Sequence, residues 1–364
     1  MDSTGEAHGY WGEVKAVRLL VLGLFLVGLG GCGGQESPSS ALSPSPAAAG
    51  SALIEPTDVS SPASHIPHAR GLTGHLVYAK AGGVYGEATY FMSNADGTQE
   101  REIPGPPEET GGGRVNAEQT MLLYAGLPDT RPGQPLRVTI GIQPLDGAAP
   151  PRYLPLPDTL NLGPGPWSPD GSRIAVQGWD KPHPDRDGMY LVDSDDGGHR
   201  VRLTKERDGA NHLPGDFSPD GKHLVFLEEH TDTQSAGQLF IMDITRQGRP
   251  QPLTPADFGA SDSARFSPDG KLILFADGRL STRGAIWTVR PDGRGLRKIW
   301  DHAHYFASSP AWSPDGRQIV FSLNDIANTF EHRPNALAVI NADGTNLREI
   351  VRDGDFRRET TWIH

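Results

Sequence analysis

The sequence predicts an all-β chain, a six-bladed β-propeller of four-stranded antiparallel blades whose ring is closed by the C-terminal strand. Three observations carry that reading. First, Trp167-Ser168-Pro169-Asp170-Gly171 returns as Phe217-Ser218-Pro219-Asp220-Gly221, Phe266-Ser267-Pro268-Asp269-Gly270 and Trp312-Ser313-Pro314-Asp315-Gly316, at spacings of 50, 49 and 46 residues. A period in that range marks a repeat array. Second, an apolar strand followed by a Gly-containing turn recurs six times, as in Tyr90-Phe91-Met92 before Asp96-Gly97 and Ile286-Trp287-Thr288-Val289 before Asp292-Gly293. Third, apolar residues make up only 36% of the chain while Gly and Pro number 45 and 32. That mixture fits many short strands joined by tight turns and disfavours helices.

Each element follows from local chemistry. In Ser-Pro-Asp-Gly the proline presets the first turn dihedral, the aspartate bonds its own backbone and the glycine accepts a positive φ, so each copy is a hairpin turn. Behind it run β-branched and aromatic stretches such as His223-Leu224-Val225-Phe226 and Gln318-Ile319-Val320-Phe321, which are strands. The third strands include Met189-Tyr190-Leu191-Val192, Leu239-Phe240-Ile241-Met242 and Thr139-Ile140-Gly141-Ile142, and a short fourth follows, as at Arg202-Leu203-Thr204. In the second blade Val115-Asn116-Ala117-Glu118 stands in for the turn motif. The first blade begins at its second strand, so its innermost strand must come from elsewhere. Glu359-Thr360-Thr361-Trp362-Ile363 carries a tryptophan at the motif's aromatic place and is expected to pair beside His75 to Lys80.

A length of 364 residues would ordinarily suggest two domains, but the repeat argues for one closed array. The formal charge of −12, with Lys and Arg scattered, argues against nucleic-acid binding. Cys32 is the single cysteine, which excludes an intramolecular disulfide.

The N-terminus reads as an address. Lys15 and Arg18 precede the apolar run Leu19 to Val27, too short to span a bilayer but suited to a signal-peptide core. Leu29-Gly30-Gly31-Cys32 then resembles the bacterial lipobox. The resemblance implies a signal peptide over residues 1–31, acylation of Cys32 by diacylglyceryl and palmitate-like chains, and anchoring to a membrane of the bacterial cell envelope, periplasmic or surface-exposed. Two or more acyl chains suffice for stable anchoring. Residues 32–71, rich in Ser, Pro, Ala and Gly without apolar periodicity, are expected to form a disordered linker. The propeller then occupies residues 72–364.

The recurring Trp/Phe-Ser-Pro-Asp-Gly, the apolar strand behind it and the later Asp-Gly turn resemble the TolB-like (WD40-like) propeller repeat. The match is specific in four blades and loose in two, over about residues 72–364. The resemblance implies binding of an envelope protein or peptide at the loop face; a non-catalytic role and a monomeric chain are expected alongside it.

Antiparallel order places the face. If first and second strands meet at one end, third and fourth meet there too, and the remaining connections lie at the other end. Those connections are long and irregular, which makes that face the expected binding surface, at the mouth of the axial channel. Its candidate residues are Trp179, His183, His212, His302, His304 and His332, beside Lys181, Asp185, Tyr305 and Phe330. His302-Ala303-His304 is the sharpest, since two imidazoles one residue apart on an extended chain face the same way. A metal there would need a third and a fourth ligand, with His212 and His332 as the candidates, and no cofactor or metal is expected. Asp193-Ser194-Asp195-Asp196-Gly197 fails the EF-hand spacing and reads as a turn. Arg265 and Asp216, each one residue before the motif aromatic, are left between channel and seam. The sequence shows no Gly-x-Ser-x-Gly elbow, His-Glu-x-x-His or P-loop. The alternative to a binding role is a metal-dependent polysaccharide lyase or hydrolase using channel histidines.

Overall fold

The repeated motif forms the same turn four times. Ser168 Oγ donates to Asp170 Oδ1 at 2.5 Å and accepts from Arg173 N at 2.9 Å, while Gly171 N reaches back to Ser168 O at 2.9 Å. Ser218, Ser267 and Ser313 repeat the serine–aspartate bond at 2.6–2.7 Å. The four motif glycines have φ between +69° and +71°, where a Cβ would strain the backbone. In the second blade Asn116 does both jobs: its Oδ1 accepts from Thr120 N and Met121 N, each at 2.9 Å. A single amide thereby replaces the Ser–Asp pair.

The computed structural model describes residues 66–81, 88–104, 111–127, 137–206, 209–230, 237–246, 248–256, 258–277, 284–325, 335–353 and 355–364. Its strands assort into six sheets of four, all antiparallel. Blade 4 is typical: Ala210–Phe217 innermost, then His223–His230, Gln238–Asp243 and Gln251–Pro252 outermost. Blade 1 takes Phe356–Ile363 as its inner strand, against His75–Ala81. The register sets Trp362 opposite Leu76 and Ile363 opposite His75, so the C-terminus closes the ring as expected.

The core lies at the seams between blades, because each sheet is apolar on both faces and buries them only against its neighbours. Phe217 packs with Ala175 and Met189 of blade 3. Phe266 meets Val225 and Leu239 of blade 4, and Trp312 meets Leu274 of blade 5. Trp362 fills the same place against Val320 and Leu337 of blade 6, with Nε1 donating to Thr73 O at 2.9 Å. Each such aromatic contributes about 1.5–3 kcal/mol through removal from water. The motif aromatics are therefore the packing between blades.

Two boundaries differ from expectation. Residues 66–71, assigned to the linker, run along blade 6 instead: Ala69 N donates to Glu349 O at 2.6 Å and Glu349 N to Pro67 O at 2.8 Å. They cover backbone groups that an outer strand leaves open. The second strands also reach further toward the loop face, as in Arg173–Trp179 and His223–His230. Residues 1–65, with the signal peptide, Cys32 and nearly all of the linker, lie outside the described residues. Among the described residues no helix is long and apolar enough to cross a membrane.

Candidate functional site

The expected site residues scatter over the loop face, and their surroundings separate them. Trp179 ends a strand rather than lying in a loop, and packs half-buried against Ala125 and Val138 of blade 2. His212 is also a strand residue, 6% exposed. Its Nδ1 lies 2.8 Å from Thr204 Oγ1, its Nε2 2.9 Å from Glu228 Oε2, and its ring stands edge-on to Phe226. Both ring nitrogens are engaged within the seam of blades 3 and 4. A histidine's role here depended on neighbours in other strands, which chain order does not reveal.

His183 is exposed and precedes a short 3₁₀ turn, Pro184–Arg186, with Nδ1 3.4 Å from Asp180 Oδ2. Asp180 is fully buried and ties the loop down, accepting from Thr159 Oγ1 at 2.8 Å and Arg186 Nη1 at 2.6 Å. Nearby Glu206 accepts from His212 N at 2.7 Å. Burial above all pushes its carboxyl up to about 7, the negative charge of Asp187 adds to the rise, and Arg202 opposes it. His332 and Phe330 lie outside the described residues.

His302 and His304 do come together, ring centroids 5.8 Å apart, on the connection from blade 5 to blade 6. His302 stacks on Trp300 at 6.2 Å and lies 5.1 Å from Tyr305, while Trp300 leans on Phe321 at 5.2 Å. His304 N donates to His302 Nδ1 at 3.1 Å. An Nδ1 that accepts leaves the proton on Nε2, so that bond belongs to the neutral imidazole. Burial first, and then His304, lowers the His302 pKa. The Arg352 guanidinium sits 5.9 Å from the Tyr305 ring centre. Trp300, His302 and Tyr305 are each half-buried with His304 exposed, a rim patch in which Trp300 and Tyr305 are of the residue types enriched in binding hot spots. Among the described residues no set of three or more His, Cys, Asp or Glu is placed to hold a metal.

Asp216 and Arg265 face the axis, which the chain order had left open. Asp216 Oδ1 accepts from Phe217 N and Oδ2 from Phe266 N, each at 2.9 Å, bridging blades 4 and 5. Burial raises its pKa, against the opposing charges of Arg265 and of Arg114 from blade 2. Blades 2 and 4 are not neighbours, so Arg114 acts on Asp216 across the channel. Arg114 and the closing strand's Arg358 and Glu359 escaped notice in the sequence. Their only signal was place: Arg114 precedes the degenerate motif as Arg265 precedes a regular one.

A ring of six four-stranded blades with an ion-lined axis and one irregular face defines a six-bladed β-propeller. Residues 147–364 match the family model described as TolB beta propeller domain, and the chain belongs to that family. A Tol-Pal system protein TolB of Anaeromyxobacter sp. (strain K) is 31% identical over 100 residues, 28% of this chain and 21% of that protein. An uncharacterized peptidase YuxL of Bacillus subtilis (strain 168) is 26% identical over 111 residues, 30% of this chain and 16% of that protein. The matched part thus spans about a fifth of these relatives' length or less. Among solved structures, a putative TolB from Agrobacterium tumefaciens superposes with a TM-score of 0.58 at 22% identity, covering 81% of this chain and 100% of that one. TolB from Acinetobacter baumannii gives 0.58 at 19% identity, over 82% of this chain and 68% of that one.

Proposed function

We propose that the chain is a membrane-anchored lipoprotein of the bacterial cell envelope whose propeller binds a protein or peptide partner at its loop face, without catalysis. The aromatic patch of Trp300, His302, His304 and Tyr305 carries the reading, because it gathers rigid, amphipathic side chains on the irregular face. Similarity to Tol-Pal system TolB proteins supports a partner within the envelope. The lipobox-like Leu29-Gly30-Gly31-Cys32 supports removal of residues 1–31 and acylation of Cys32, with residues 32–65 as the tether from membrane to propeller. The partner docks against the blade 5–6 rim and reaches the axial channel.

Crosslinking in intact cells, followed by capture of the wild-type protein and of the double variant His302→Ala/Tyr305→Ala, tests the binding role. The wild type is expected to retain one specific envelope protein that the variant loses. Recovery of the same partner by both would move the site elsewhere, and recovery of none would remove the role. Cys32→Ser tests the anchor separately, and is expected to shift the protein from the membrane fraction to the soluble one.

A further inference from the structure

Two buried arginines at the seam of blades 1 and 2 present more donors than the described residues meet. Arg358, on the closing strand, is 6% exposed, and its Nε and Nη2 have no hydrogen-bond partner there. Its neighbouring carboxylate, Glu359, stands off with Oε1 3.8 Å away. That carboxylate is already committed: Oε1 accepts from Gly112 N at 2.7 Å, and Oε2 from Gly113 N at 2.7 Å and Tyr90 Oη at 2.5 Å. Arg114, 8% exposed, spends Nη1 on Gly113 O at 3.0 Å and leaves Nε unmet.

Between the two guanidinium groups runs Gly111–Gly113, where the backbone passes too close to its neighbours for side chains: a Cβ on Gly113 would collide with the Tyr90 ring. A Cβ on Gly111, which has φ +104°, would lie 3.0 Å from Glu359 Oε1 and 3.8 Å from Arg358 Nη2. A buried N–H group without an acceptor is unfavourable, because it has lost its water, and the Glu359 charge 3.8 Å away offsets this only in part. The planar guanidinium fork, with Arg358 Nε and Nη2 side by side, fits a carboxylate with two parallel bonds.

We infer that Arg358 and Arg114, across the Gly111–Gly113 segment, form a carboxylate-binding site opening on the axial channel. The carboxylate comes either from a small free acid or from the end of a bound peptide, and only the second source rests on the binding role proposed above.

Calorimetric titration of the purified protein with sodium acetate, at constant ionic strength against sodium chloride, reads the site directly. The wild type is expected to bind acetate saturably. Arg358→Lys, which keeps the charge and loses the fork, is expected to weaken binding about tenfold, the scale of one lost charge-assisted bond. Arg114→Gln should weaken it as well. Arg358→Met should abolish binding and also lower the melting temperature, because it removes the positive charge beside the buried Glu359 carboxylate, whereas Arg358→Lys keeps that charge. A short peptide with a free C-terminus that displaces acetate, while its amide does not, would assign the peptide source; displacement by small acids alone would assign the free-acid source. Absence of saturable binding, equal displacement by chloride, or unchanged affinity in Arg358→Lys and Arg114→Gln would each overturn the site. None of these outcomes depends on finding the envelope partner.

Discussion

Replacing Glu359 by glutamine probes the joint on which the closed ring turns. Glu359 sits at φ +59° on the closing strand, beside the irregularity in its pairing with His75–Ala81, and its N donates to Ser309 Oγ at 3.2 Å. Through its carboxylate it ties blade 1 to the Gly112 and Gly113 N–H groups that lead into blade 2. Glutamine keeps the shape but offers one oxygen. If that oxygen keeps the partners of Oε2, Gly112 N faces an NH₂ group, and one buried donor goes unmet at about 1–3 kcal/mol. The bonds that remain lose their charge assistance, so the total loss is about 2–4 kcal/mol. The melting temperature falls by about 2–4 °C for each kcal/mol in a domain of this size. The pH dependence supplies a second signature. Burial alone would raise the Glu359 pKa, but Arg358, the Tyr90 hydroxyl and the two glycine N–H groups outweigh it and the net direction is down. A lowered folded pKa gives stability that is present above the unfolded value, about 4.3, and lost as pH falls through the folded one. Urea titrations followed by tryptophan fluorescence are therefore expected to show the full gap between wild type and variant at neutral pH and a smaller gap in acid. A gap below about 0.5 kcal/mol at neutral pH, or one that acid leaves unchanged, would refute the reasoning.

Other perturbations have outcomes set by the same structure. Glu206→Gln is expected to stabilise the protein in alkali and not in acid: with its pKa raised to about 7, the wild-type carboxylate becomes unfavourable as pH climbs from the unfolded value through the folded one, to a limit of about 3 kcal/mol. A pH-independent difference in urea midpoints would contradict it. Trp362→Ala leaves a cavity in the seam of blades 6 and 1 and is expected to lose about 3–5 kcal/mol, read as a lower denaturation midpoint; an unchanged midpoint would mean the ring does not rely on that closure. Asp220, whose pKa the Ser218 hydroxyl and then the Lys222 N–H hold down to about 2, should titrate closer to an ordinary aspartate in Ser218→Ala, measured by NMR.

How much was legible in the chain differs between scaffold and site. Ser168, Ser218, Ser267 and Ser313 bond to residues at most five positions away, so their turns could be read as letters. The motif aromatics and Trp362 could be placed because the repeat fixed their register, and register decides which face is buried. Site residues were harder. His302 and His304 meet as neighbours on one connection, and that pairing was visible. His212 resembled them in sequence, yet its partners are Thr204 and Glu228, on other segments of blades 3 and 4.

The sequence by itself determined the number of blades, their strand order and the means of closure, because those depend on local turn chemistry repeated at a fixed period. Only the tertiary structure decided which charged side chains meet at the axis. Glu359 lies 246 residues from Gly113, and Arg114 acts on Asp216 from a blade that does not adjoin it. Such encounters are created by the curvature of the closed ring, which carries distant innermost strands to within electrostatic reach of one another, and no local pattern encodes them.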